Sequence, residues 1–355
     1  MADVTFKCPN CGGYLNFDAD SQQWKCPFCG SYFSEKELLA KDEQYHSEAV
    51  EEQEQSAQQD SGDVHQVVYH CTSCGSEIVT DETTVATHCY YCHNPVVLQG
   101  KMTGDMRPDY VLPFTISKEA AVKTFMEWVR KKRYVPNAFF NEQQVKNMSG
   151  VYYPHFKTDV ELTGDLSGTA SRSTVHEDRD FIVTTTLHYN IQRRGNTKFS
   201  NLMRPALTKA NKKLSDAIHP FPLENLKPFS GAFLSGFLAE RRDIDFADVR
   251  TDVAKEAQSY TNQVLRDTVS FSNLQGSVTS KVTRIQNKYV LLPTWVLTYP
   301  NPKDPEDPYY YAMNGCTGEV CGKLPIDSKK LRLHSFLWGL GVAAALLAIF
   351  YFFVG

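Results

Sequence analysis

The chain has 355 residues, 42% of them hydrophobic, and a formal net charge of −4. That length exceeds a usual single domain, so small metal-bound modules would still leave a region able to bury its own core. No basic, apolar signal sequence follows Met1, so the ten cysteines are expected in reducing cytosol, which excludes a framework of structural disulfides.

In chain order, the first signal is a cysteine repeat. Cys8-x2-Cys11-x14-Cys26-x2-Cys29 and Cys71-x2-Cys74-x14-Cys89-x2-Cys92 have the same spacing to the residue. Each C-x2-C turn presents two thiolates together, and tetrahedral zinc needs two such turns about one short hairpin apart. The pattern predicts two four-cysteine zinc ribbons, at residues 1–34 and 67–100, each holding one structural Zn2+. Four thiolates close the coordination shell and leave no water to activate, so neither ion is expected to be catalytic. Residues 35–66 between them carry ten acids against two bases, Lys36 and Lys41, a net charge of −8. The remainder of the chain is then +4. Few aromatic or β-branched residues occur in this linker, which reads as a flexible or solvated connector.

From Arg107 the text becomes α+β. Ser117 is a candidate N-cap for a helix in which Ala120, Ala121, Phe125, Trp128 and Val129 recur at helical spacing, ending near Arg133. A second helix is expected from Phe246 to about Arg266, with Val249, Val253, Ala257, Tyr260 and Val264 along one stripe. Each helix is followed by a similar β-rich passage, Gly150–Phe156 with 158–162 after the first and Tyr289–Tyr299 after the second. Both passages place a proline before an aromatic, Pro154/Phe156 and Pro293/Trp295. This suggests a duplicated helix-on-antiparallel-sheet body, with modules at 107–203 and 243–330 joined by a proline-punctuated bridge at 204–242. Residues 163–200 add more strand, and Asn314-Gly315 is the clearest hairpin signal.

The segment 334–355 contains no Asp, Glu, Lys or Arg. Phe336 to Val354 is long enough, at about 1.5 Å per residue, to cross a bilayer core. Lys323, Lys329, Lys330 and Arg332 precede it, so by the positive-inside rule the N-terminal body is expected in the cytoplasm, held by a single-pass C-terminal anchor in the cell membrane. No phosphate-binding loop and no nucleophile with a base in a recognisable context stands out. Basic clusters at Arg130–Arg133, Arg193-Arg194, Lys209 with Lys212-Lys213, and Arg241-Arg242 keep a nucleic-acid reading open.

Cys8-Pro-Asn-Cys11-Gly, Cys26-Pro-Phe-Cys29-Gly, Leu291-Leu-Pro-Thr-Trp295 and Met313-Asn-Gly-Cys-Thr-Gly318 together give a resemblance that covers nearly the whole chain. The chain resembles bacterial TFIIB-type zinc-ribbon membrane proteins, some of which are labelled primosomal helicase-related. The resemblance implies a membrane platform that recruits phage-shock-type and SPFH-domain proteins in an envelope-stress response. In such relatives the position of Cys316 is usually Gln, so the resemblance assigns Cys316 no role. The expectation is a non-enzymatic membrane-anchored adaptor that recruits cytosolic proteins. The alternative is a membrane-tethered nucleic-acid-binding protein, and an enzyme using the α+β body is a third reading.

Overall fold

The structure is a computed structural model, and it describes residues 6–38, 66–70, 77–89, 95–98, 104–136, 145, 147–178, 181–208, 217–271, 273–299, 301, 304 and 309–354. It is a mixed α+β molecule dominated by one sheet. At the N-terminus β1 (Asn16–Asp18), β2 (Gln23–Lys25) and β3 (Tyr32–Phe33) form a small antiparallel sheet in which Phe17 faces Trp24. Among the described residues β4 (Gln66–His70) and β5 (Glu77–Asp81) pair only with each other, whereas β6 (Thr84–His88) and β7 (Pro95–Val97) join the main sheet. The acidic linker beyond Leu38 lies outside the described residues up to Gln66.

The body opens with β8 (Tyr110–Val111) and α1 (Lys118–Arg130). Ser117 is indeed the N-cap residue, with extended backbone angles, although its side chain makes no capping bond. Ala121, Phe125 and Val129 are the buried face of α1. The chain then runs into β9 (Ser149–Asp178) and returns along β10 (Phe181–Pro205) as an antiparallel hairpin. The bridge supplies β11 (Lys227–Pro228) and β12 (Leu238–Glu240) before α2 (Phe246–Asp267), β13 (Gln275–Tyr299), β14 (Tyr309–Asn314) and β15 (Val320–Lys323).

The passages that read alike are the central strand pair. β13 runs antiparallel to β9 from Val296↔Ser149 to Gln275↔Thr169. On its other side β9 meets β12 in parallel at Val151 and Tyr152, then β10 from His155 onward; β13 meets β8 in parallel at Val290 and Leu291, then β14 from Thr294. The same element order, short strand, helix, long strand, antiparallel partner, thus occurs twice, and each short strand pairs with the other unit's long strand. Pro154 and Pro293 sit at the two changeovers, where their carbonyls accept from Ala206 N and Gly315 N and the missing N–H breaks no ladder bond on that side. On β13, Tyr289, Leu291, Trp295 and Leu297 face one core and Val290 and Leu292 another. Burial on both faces explains the near-continuous apolar run in sequence.

α2 packs on β9 through Val253, Ala257, Thr261 and Leu265, not through Tyr260 and Val264, which are exposed. The strict four-residue step follows the inclined i±4 row of the helix, the row that tracks a twisted sheet beneath it. Thr261 fits there because its hydroxyl bonds Ala257 O at 2.9 Å and Thr197 Oγ1 at 2.8 Å, and Gly164 leaves room for it and Leu265. At Asn314-Gly315 the hairpin loop spans residues 315–319, not two, and the positive φ belongs to Gly318. Gly315 is needed for space, since a Cβ would lie 2.5 Å from the Phe114 ring. In the last helix, α3 (Ser328–Val354), no described residue is buried; of the described residues, only here is a helix long and apolar enough to cross a membrane.

Candidate metal centre

Cys8, Cys11, Cys26 and Cys29 converge so that all four Sγ atoms lie within 4.8 Å of one another. Cys8 Sγ is 3.5 Å from Cys29 Sγ, and Cys11 Sγ is 3.4 Å from Cys26 Sγ. These separations are too long for disulfides and close to the ~3.8 Å between sulfurs on a tetrahedral metal with bonds of about 2.3 Å. The four cysteines are therefore positioned to bind a metal ion.

The two knuckles are copies of one turn. Cys8 N donates to Gly13 O and Gly12 N to Cys8 O; Cys26 N donates to Ser31 O and Gly30 N to Cys26 O. Gly12 and Gly30 have φ of 75° and 73°, the left-handed conformation that reverses the chain after each second cysteine and favours glycine. Asn10 Nδ2 bonds Ser31 Oγ at 2.9 Å and ties the knuckles together. The Ser31 hydroxyl, 3.3 Å from Cys29 Sγ, and then the Ser31 amide lower the Cys29 thiol to about 6. At Cys11 the Gly13 amide favours the thiolate, but the hydrogen bond with Cys26 retains the proton and the pKa rises to about 12. Thiols this close oppose one another's ionisation, and a central cation is what allows all four to lose their protons.

The centre is built into the body. Trp24 is 2% exposed and its Nε1 donates to Ala232 O at 3.0 Å; Phe17 N donates to Ser235 O, and Gln22 Nε2 to Phe114 O at 2.7 Å. Phe17, Trp24 and Phe233 form an aromatic cluster with centroids 5.2–5.3 Å apart. Cys8 and Cys26 lie on this buried side, whereas Cys11 and Cys29 face outward with Phe28, which is 66% exposed. A cleft of about 470 Å³ at the junction brings Asn16, Asp18, His88, Ser117 and Lys118 together.

Of the second cysteine set, Cys89 is buried at the end of β6 beside Ile78, Val96 and Leu98. Cys71, Cys74 and Cys92 lie outside the described residues. Sequence reasoning located the first set completely but missed its docking residues, Phe17 and Trp24, whose hydrophobicity inside a cysteine spacer was the available signal. The chain is similar to the uncharacterized protein YdjG of Bacillus subtilis (strain 168), with 29% identity over 252 residues that span 70% of this chain and 71% of that one. No family model matches it. No solved structure matches it either.

Proposed function

We propose that the chain is a non-enzymatic, membrane-anchored adaptor of the TFIIB-type zinc-ribbon kind. In this reading each cysteine set holds one structural Zn2+, α3 spans the cell membrane with the body in the cytoplasm, and exposed surfaces recruit cytosolic proteins in an envelope-stress response. Phage-shock-type and SPFH-domain proteins are the proposed partners, on the resemblance described above. The observation that carries the reading is the closed four-thiol cluster: a metal there has no free position for substrate, and its buried hairpin serves as a structural element. The apolar span of α3, none of it buried, supports the anchor.

Ion pairing weighs against the nucleic-acid reading. Arg194 pairs with Asp165 at 2.7 Å and Arg241 with Glu82 at 3.0 Å, and Arg242 pairs with Asp245, so these basic clusters are partly neutralised within the protein. The test is affinity purification of the tagged full-length chain from detergent-solubilised membranes, with proteins and nucleic acid identified together. Wild type is compared with Cys26→Ser/Cys29→Ser, Cys89→Ser/Cys92→Ser and Phe28→Asp. Phe28 is exposed, so its variant keeps the fold while altering the outward knuckle. Discrete proteins held by wild type and lost with a broken ribbon support the adaptor. Nuclease-sensitive nucleic acid with no stable protein partner overturns it.

A further inference from the structure

Among the described residues β10 pairs with β9 alone, so its outer edge is open along its length. Pairing between β9 and β13 stops at Thr169, and beyond it β9 and β10 continue as a two-stranded arm. Parity assigns the faces of this arm. Ile191 and Tyr189 of β10 share a face with Leu166 and Ala170 of β9, and Leu265 and Phe271 pack over them. The same face runs outward along β10 through Leu187, Thr185, Val183 and Phe181, but α2 has ended at Asp267 and no described residue covers them. Val175, Phe181, Ile182, Val183 and Leu187 are between 52% and 72% exposed. Phe181, Val183 and Leu187 present on the order of 300 Å² of apolar surface on one face, the size of a large patch on a typical monomer, and Ile182 with Val175 extend it on the opposite face across the open edge.

β10 itself carries no charge over the same stretch; the charges beside it are on β9, with Arg172 opposite Leu187 and Glu177 opposite Ile182. Phe181-Ile-Val-Thr-Thr-Thr-Leu-His-Tyr189 contains no Asp, Glu, Lys or Arg, whereas Arg193, Arg194, Lys198 and Arg204 all lie further in. The bulge between Phe199 and Leu202, and Pro205, devices that blunt an edge strand, also lie at the inner end. The outer edge is therefore β-prone, apolar and unprotected.

We propose that this edge docks a second copy of the chain, β10 against β10 in antiparallel pairing, with a two-fold axis at Thr185. An axis perpendicular to the sheet keeps each face on its own side, so the sequence must be self-complementary about that point. On one face Phe181 meets Tyr189, Val183 meets Leu187, and Thr185 meets its mate. On the other Ile182 meets His188 and Thr184 meets Thr186. Apolar residues oppose apolar or aromatic ones, threonines oppose threonines, and Arg193 and Arg194 of each copy pass beyond the overlap, so no like charges are opposed.

The arm tip is far from the strand end at which the chain leaves the sheet for α3. α3 follows β15, which reaches the central strands through β14 at the 294–299 end of β13, opposite the start of β9. At ~3.3 Å per residue the arm tip lies up to about 90 Å along β9 from that end, which favours a protein partner over the bilayer. The apolar area per copy is below the roughly 800 Å² of a standard interface, so pairing depends on the concentration that a shared membrane provides.

The test uses the full-length chain in membranes. Thr185→Cys places two thiols across the axis, and a mild oxidant or a short bis-maleimide is expected to link them into a dimer several-fold more than in wild type. Thr174→Cys is the control: it faces Thr185 on β9, is equally accessible, and would lie about 14 Å from its mate. Adding Val183→Lys and Leu187→Lys to Thr185→Cys, exposed changes that spare the fold, is expected to abolish the link. Equal linking at 174 and 185, or linking that survives the lysines, overturns the proposal. Protection of the Thr185→Cys thiol from a water-soluble maleimide without dimer formation also overturns it, in favour of bilayer insertion.

Discussion

Cys8 and Cys26 are buried and Cys11 and Cys29 exposed, so one metal centre belongs partly to the core and partly to the surface. Trp24, between the two knuckles in sequence, carries the core side of that connection. Trp24→Ala removes a buried indole and orphans Ala232 O, and is expected to cost about 3–5 kcal/mol, read from the urea midpoint of the full-length chain in detergent. Asn314 is fully buried; its Nδ2 donates to Ile218 O at 2.8 Å and Pro220 O at 3.0 Å, and its Oδ1 accepts from Cys316 N and Thr317 N. Asn314→Ala is expected to cost about 2–4 kcal/mol by the same measurement, because buried partners lose bonds they cannot replace. At His155 burial first, and His219 nearby, lower the pKa to about 4, while Nδ1 donates to Tyr153 O at 3.2 Å. A base with a lowered folded pKa contributes fully above its ordinary value of 6.5, and that contribution is lost as pH falls from 6.5 toward 4. Wild type is therefore expected to lose up to about 3 kcal/mol more than His155→Gln between pH 7 and 4, measured as the difference of their urea midpoints.

The elements show which patterns a sequence exposes. The helix expected from Phe246 to about Arg266 is Phe246–Asp267, because Asp245 and Asp248 form a capping box at its start and the apolar period is regular. Its buried face was displaced by one residue beyond Ala257, since Tyr260 and Val264 fit an isolated helix as well as Thr261 and Leu265 do. Only the twist of the sheet beneath decides between them. Leu265→Ala is accordingly expected to cost about 2–4 kcal/mol and Val264→Ala less than about 0.5 kcal/mol, a contrast that thermal unfolding of the two variants measures. The strands were legible as β, but not their length: Thr, Ser and Arg alternating on an exposed arm resemble loop composition, and pairing alone makes β9 and β10 continuous.

For the whole molecule, the metal centre and the sheet share one core. Phe17, Trp24 and Cys26 belong to the same buried cluster as Phe114, Trp295 and Tyr311. Removing a metal bound there with a chelator, or by Cys26→Ser, is therefore expected to lower the unfolding midpoint of the entire body in one transition; scanning calorimetry with a metal assay checks this, and a separate transition of the four-cysteine unit beside an unchanged body transition would contradict it. The sequence alone determined what depends on short spacing and continuous composition: the four-cysteine set, the two amphipathic helices and the apolar C-terminal helix, since each is specified by residues a few positions apart. Only the tertiary structure decided that the first four-cysteine unit is docked and not tethered, that the two long strands cross-pair with each other's short strands, and that β10 keeps an open apolar edge among the described residues. Those features depend on contacts between residues up to about two hundred positions apart, such as Trp24 with Ala232, and local patterning carries no information about which distant surfaces meet.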